Sequence, residues 1–168
     1  MKVILYQPQI PQNTGNIVRT CAAAASSLVL VRPLGFSTNN RRLKRAGLDY
    51  WKGVEVEEID DLHSYLEGQP PLFFFFSSKA EQFYTEPCYP PESVLIFGSE
   101  TEGLPASFRE RWPDRFFKIP MSLKTRCLNL ACSVSIVLFE ALRQNHFLNS
   151  ETTSERTMLS NADVVSGR

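Results

Sequence analysis

The chain has 168 residues, 43% hydrophobic and 21% charged, with 18 basic and 18 acidic side chains and a formal net charge of zero. That length fits one domain with a sizeable core, and the charge balance excludes a protein that holds nucleic acid by bulk charge, so any such contact must come from local patches. The longest apolar stretch, residues 131–142, is interrupted by Ser133, Ser135 and Glu140 and is too short for a bilayer, and the first six residues are too short for a signal peptide, so a cytoplasmic protein without a membrane partner is expected.

Val3-Ile4-Leu5-Tyr6 reads as a buried strand that stops before a proline. Residues 14–26 read as a helix favoured by four alanines, with Asn13 or Thr14 as its cap. A second strand over residues 28–31 ends at Pro33-Leu34-Gly35, and residues 41–48 suggest a short basic helix. Residues 54–59 alternate like an edge strand, and residues 60–66 look helical up to Gly68. Residues 72–76 include four consecutive phenylalanines and predict a central strand. Residues 93–97 predict another, followed by a helix over 105–111 with proline at its start, a short strand over 116–119 and a long helix over 129–144. From Phe147 the sequence is polar, so the boundaries expected are a folded domain over 1–148 and a disordered tail over 149–168. The alternation of strands and helices predicts one α/β domain with a mostly parallel sheet.

The cysteines, Cys21, Cys88, Cys127 and Cys132, form no C-x-x-C pair, and the two histidines, His63 and His146, lie far from them in sequence. No metal site is expected, and the thiols read as free and mostly buried. Cys127, near a helix start and an arginine, lacks a neighbouring histidine to serve it as a base.

Chemistry is expected in three stretches where polar or glycine residues join a strand to a helix. In Ile10-Pro11-Gln12-Asn13-Thr14-Gly15-Asn16-Ile17-Val18-Arg19, free N–H groups of a helix start suit phosphate, although a plain cap explains them too. Arg19 lies one turn past Gly15 and is expected to face the same way, as a phosphate clamp or one half of an ion pair. In Phe97-Gly98-Ser99-Glu100-Thr101-Glu102-Gly103-Leu104-Pro105, Gly98 permits a close approach to the backbone, and Glu100 can accept from an amine, a hydroxyl or a loop N–H. The third stretch runs from Ile119-Pro120-Met121 to Arg126-Cys127-Leu128-Asn129-Leu130, with Asn129 as an N-cap candidate. Ser77, Ser78 and Lys79 stand at the end of the phenylalanine strand, at the edge where sheets bind ligands. The cluster Arg41, Arg42, Lys44 and Arg45, followed by Tyr50-Trp51, suits RNA through phosphate contact and stacking, or forms a solvated helix face. There is no G-x-G-x-x-G after the first strand and no Walker lysine.

In order and content these three stretches resemble the motifs of the SpoU/TrmH class of SPOUT RNA methyltransferases. Arg42-Leu43-Lys44-Arg45-Ala46-Gly47-Leu48-Asp49-Tyr50 looks like the small single-domain branch that methylates a ribose 2′-hydroxyl at the tRNA wobble position. The resemblance implies a SPOUT fold with a deep C-terminal trefoil knot, an exception to the rule against knots. It implies a homodimer whose sites draw on both chains, with S-adenosylmethionine as methyl donor and the tRNA anticodon stem-loop, nucleotide 34, as substrate. Carried over, Phe76, Ser77, Ser78, Gly98, Glu100, Gly103, Ile119, Met121, Cys127 and Leu128 would bind the cofactor. Asn13, Arg19, Glu100 and Asn129 would be catalytic, and Arg19, Arg41, Arg42, Lys44, Arg45 and Arg126 would meet RNA. Cys127 stands where relatives commonly have serine, Phe139 where they often have tyrosine, and Glu102 where they often have a basic residue. The alternatives are a 2′-O-methyltransferase of another tRNA position or of ribosomal RNA, and a knotted RNA-binding protein without catalysis.

Overall fold

The computed structural model describes residues 1–37, 53–68, 70, 72–122, 124–125 and 127–147. In chain order the elements are β1 (Lys2–Tyr6), α1 (Pro11–Ala23), β2 (Ser27–Val31), β3 (Val56–Ile59), α2 (Leu62–Glu67), β4 (Phe73–Phe76), β5 (Gln82–Phe83), β6 (Val94–Phe97) and α3 (Ala106–Arg111). A 3₁₀ turn (Pro113–Arg115), β7 (Phe116–Lys118) and α4 (Leu130–Gln144) follow. The strands form one seven-stranded sheet in the order β3-β2-β1-β6-β4-β7-β5. Every pairing between these strands is parallel, so the expected mostly parallel sheet is wholly parallel among the described residues.

A parallel sheet buried on both faces needs strands that are apolar throughout, and the central ones are. Side chains alternate between faces, so Val3 and Leu5 of β1 point to one helical layer and Ile4 to the other. The first layer is α1 and α4, contributing Ile17, Val18 and Cys21 and then Val134, Leu138 and Ala141. The second is α2 and α3, whose Leu62, Leu66 and Phe108 cover Phe75 and Ile96. The phenylalanine run splits the same way. Phe75 stacks on Phe116 at 4.7 Å between centroids, and Phe76 on Phe97 at 4.9 Å.

Several boundaries differ from the sequence expectation. Helix α1 begins at Pro11, with no side-chain cap on its N-cap residue Ile10. Proline at the first helical position is pre-organised for the helix and lacks an N–H that would need a partner, so Asn13 lies inside the first turn and is not the cap. β3 is two residues shorter than its alternating sequence and exposes Glu57 and Glu58, as an edge strand does. β5 is only two residues long, too short for any period to show. The basic helix expected over 41–48 and the tail lie outside the described residues.

Strand β1 is the switch point of this topology. It pairs with β2 on one side and β6 on the other, so the chain departs from the two strands in opposite directions across the sheet. Ligands of open parallel sheets bind beyond the carboxyl ends at such a point. Residues of four connections meet there, from 7–10, 77–79 and 98–105 and, after β7, from 119–121 and 127–129.

Candidate active site

A cavity of about 460 Å³ opens at this edge, within the usual range for a small-molecule site. Phe76, Ser77 and Ser78 reach it from β4, Gly98, Glu100 and Gly103 from β6, and Ile119, Met121, Cys127 and Leu128 from the connection after β7. All ten residues expected around a cofactor therefore line one space. Asn13 and Asn129 line it as well. Ile10, Lys79, Glu102 and Ser133 complete much of the rest of the wall. Of these, Ser133, inside the apolar run of the last helix and outside the three stretches, becomes visible only when the elements are assembled.

The three stretches are joined by one chain of hydrogen bonds. Glu100 Oε2 accepts from the Gln9 N–H at 2.8 Å, and its Oε1 accepts from the Ile10 N–H at 3.2 Å and from Asn13 Nδ2 at 2.9 Å. Asn13 Oδ1 in turn accepts from Asn129 Nδ2 at 2.9 Å. Asn129 Oδ1 accepts from the N–H groups of Ala131, at 2.9 Å, and Cys132, at 3.4 Å, which makes it the N-cap of α4. Among the partners open to Glu100 from the sequence, the structure selects loop N–H groups. Its carboxylate caps α1 from a distant loop, reaching the N-cap N–H as the acidic residue of a capping box does from within a helix. Negative charge at that helix end is also favoured by the peptide dipoles.

This arrangement bears on roles. A carboxylate already accepting three N–H donors is poorly placed to take a proton from a substrate; it fixes its neighbours instead. Asn13, almost entirely buried, is held at both ends of its amide, so its orientation is set: oxygen toward Asn129, nitrogen toward Glu100.

The loop after β6 folds back on itself. Ser99 and Gly103 exchange backbone hydrogen bonds at 3.1 and 3.0 Å, and Gly103 has φ +74°, which suits only glycine without strain. A Cβ on Gly98 would lie 2.2 Å from the Gly103 carbonyl carbon and 2.5 Å from the Leu104 nitrogen. The close approach that Gly98 permits is thus by its own loop, before any ligand is considered.

Arg19 is elsewhere. Gly15 is buried, whereas Arg19 lies on the exposed side of α1, so the two do not share a face as their spacing suggested, and Arg19 does not line the cavity of its own chain. Gly15 lies at the edge of the buried face of α1, and a four-residue step advances about 40° around a helix, enough to carry Arg19 past that edge. Arg41, Arg42, Lys44, Arg45 and Arg126 lie outside the described residues. Cys127 and Cys132 are exposed free thiols, as is Cys88, against the expectation of mostly buried thiols; Cys21 alone is buried, and burial pushes its pKa up to about 12. No group of His, Cys, Asp and Glu that could hold a metal ion occurs among the described residues. No helix among them is long and apolar enough to cross a membrane.

Known proteins resemble this chain along most of its length. The model of the SpoU rRNA methylase family matches residues 1–139. A chain of Lactobacillus gasseri, provisionally named an RNA (cytidine(34)-2′-O)-methyltransferase, is 48% identical over 158 residues, covering 90% of this chain and 84% of its own. The tRNA (cytidine(34)-2′-O)-methyltransferase of Escherichia coli K12 is 39% identical over 146 residues, covering 86% of this chain and 93% of its own. A solved structure concerned with 2-OH methylation of C/U34 on tRNA superposes with a TM-score of 0.80 at 41% identity, over 86% of this chain and 95% of that one. An AdoMet-bound rRNA methyltransferase from Sinorhizobium meliloti superposes with a TM-score of 0.77 at 25% identity, over 84% of this chain and 55% of that one. With one family model spanning most of its length, and relatives of this identity along nearly all of theirs, the chain belongs to the SpoU rRNA methylase family.

Proposed function

We propose that this chain is an S-adenosylmethionine-dependent tRNA 2′-O-methyltransferase acting on the ribose of wobble nucleotide 34. The observation that carries this reading is the single cavity into which all three stretches converge, held together by the Glu100–Asn13–Asn129 hydrogen bonds. The wobble assignment is supported by relatives named for cytidine 34 and by the basic stretch over 41–45.

The residues present fit the methyl donor. Phe76, Phe97, Ile119 and Leu128 supply apolar walls for an adenine, and the Ser77 and Ser78 hydroxyls and loop N–H groups supply partners for its polar edges. When bound, S-adenosylmethionine supplies a methyl made electrophilic by the sulfonium charge. The protein's share is then to position the ribose hydroxyl and support charge growing on its oxygen. Asn13 and Asn129 set the wall beside the donor. A guanidinium offers donors and no acceptor, so Arg19 orients the hydroxyl or a neighbouring phosphate.

The working unit is a homodimer of the domain over 1–148, in the cytoplasm with its tRNA. Ile136 and Phe139, 36% and 44% exposed on α4 beside α1, supply an apolar face for a second copy. A composite site would bring Arg19 of one protomer to the other's cavity. The trefoil knot belongs to the same reading, which is supported by the order of packing: β7 lies beyond β4, whereas α4, the next element in the chain, packs on α1 and β6.

The test uses tRNA from a strain lacking wobble 2′-O-methylation, incubated with the protein and methyl-labelled S-adenosylmethionine. Label on the 2′-oxygen of nucleotide 34, located by digestion and mass spectrometry, is the expected result. Label at another nucleotide, or in ribosomal RNA only, overturns the wobble assignment, and cofactor binding without any label overturns the catalytic reading.

A further inference from the structure

The proposed site contains a brace outside the cavity that no motif announces. The Glu100 carboxylate holds one side of the connection between β1 and α1, through the N–H groups of Gln9 and Ile10. The other side of that connection is held by Gly35. Its N–H donates to the Pro8 carbonyl at 2.9 Å. A Cβ on Gly35 would lie 2.4 Å from Gln9 Oε1, 2.7 Å from Gln9 Cα and 3.0 Å from Gln9 Cδ. The second of these atoms belongs to the backbone, which cannot swing aside as a side-chain tip can. Gln9 is further tied by its Nε2, which donates to the Gln7 carbonyl at 2.7 Å, and Gln7 itself has φ +48°. Residues 8–10 are therefore clamped between Gly35 and Glu100.

We propose that Gly35 is a positioning residue for the cofactor site: by seating without a side chain on Gln9, it sets where the Gln9 and Ile10 N–H groups meet Glu100. This rests on the assignment of the cavity to S-adenosylmethionine. Displacing Gln9 moves the donors of two of the three hydrogen bonds that fix Glu100, and Glu100, Asn13 and Ile10 all line the cavity. The effect of a side chain at Gly35 is thus delivered to the cavity, although Gly35 does not line it. The site's requirement for glycine here is one of space; the position has no left-handed φ.

The test is a double-mutant cycle read by cofactor binding in the absence of RNA. Gly35→Ala is expected to weaken S-adenosylmethionine binding at least ten-fold by calorimetry, with circular dichroism unchanged. Glu100→Gln breaks at least one of the hydrogen bonds through which a displaced Gln9 would act. In the Glu100→Gln background, Gly35→Ala is expected to cost less than three-fold. Equal losses in both backgrounds, or binding by Gly35→Ala within two-fold of the parent, overturn the proposal. A Gly35→Ala chain that does not fold also overturns it, because the close approach then serves the fold and not the site. Failure of the unmodified protein to bind the cofactor would refute the functional reading itself and is seen in the same experiment.

Discussion

Glu100 shows how a side chain typical of catalysis becomes structural through its partners. Each of its oxygens faces N–H donors. Replacement by glutamine keeps the shape but turns an NH2 toward at least one of those donors, whichever way the amide lies. Leaving a part-buried donor unmatched costs about 1–3 kcal/mol. Glu100→Gln is therefore expected to lose that much stability in urea unfolding with an unchanged slope, and a loss below about 0.5 kcal/mol would show that the carboxylate is not clamped. Cys21 offers a different check. Its ordinary value is 9.0, and burial raises it to about 12. Above pH 9 the unfolded chain sheds a proton that the folded chain keeps, so stability falls as pH rises, by roughly 1.4 kcal/mol per unit up to about 12. Below pH 9 both states hold the proton and the group is silent. Tyr6 and Tyr89 are raised by burial too, so the diagnostic quantity is the difference from Cys21→Ala, which should have the shallower alkaline slope. Parallel slopes would contradict the burial of this thiol. Near pH 7.5, thiol reagents are expected to modify Cys88, Cys127 and Cys132 in the native protein and Cys21 only after unfolding. S-adenosylmethionine should protect Cys127, which lines the cavity, and leave Cys88 unprotected.

At the scale of elements, α4 and its cap separate two functions of one residue. Asn129 Oδ1 caps the helix while its Nδ2 reaches Asn13. Asn129→Asp keeps the cap oxygen and places negative charge at a helix N-terminus, which is favourable, but it sets a carboxylate against Asn13 Oδ1. Asn129→Ala loses both functions, with about 1 kcal/mol expected for the cap alone. Asn129→Asp should thus unfold at a higher urea concentration than Asn129→Ala, while both bind the cofactor more weakly than the parent. If Asn129→Asp binds normally, the hydrogen bond to Asn13 does not shape the site. The cap itself was legible in the sequence because the pattern of α4 begins right after it, and the apolar runs of β1, β2, β4 and β6 were legible because strands buried on both faces need them. The start of α1 was not legible. Its cap is supplied from Glu100, some ninety residues away, and local patterns cannot register a tertiary capping group. The same reason hid Gly35: a glycine two residues after a proline reads as a turn, and only the packed Gln9 reveals the demand for space. The burial of Gly15 against the exposure of Arg19 likewise depends on α4 covering one side of α1, which no spacing within α1 contains.

For the molecule as a whole, the question is where Arg19 acts. It stands on the exposed side of α1 and is absent from the wall of its own chain's cavity, so under the proposed homodimer it would act at the reacting ribose of its partner's site. A two-fold dimer makes this testable by mixing. Arg19→Ala leaves the cavity intact, and Asn129→Asp leaves Arg19 intact. If each site combines Arg19 of one protomer with the cavity of its partner, a heterodimer of the two variants has one site with both parts sound and one with neither. Random exchange makes half of the dimers mixed, so about a quarter of the sites should work, although each variant alone is nearly inactive. If Arg19 served its own chain, every site in the mixture would carry one defect and activity would not recover. The dependence on assembly can be checked in the same mixture. Ile136→Glu with Phe139→Glu places two carboxylates on the apolar face of α4, which should lower the mass seen by light scattering to that of one chain. Introduced into both variants, that pair should abolish the recovery while leaving the helical circular dichroism signal in place. A dimeric mixture that fails to recover would move Arg19 back to its own cavity and remove the reason for a composite site.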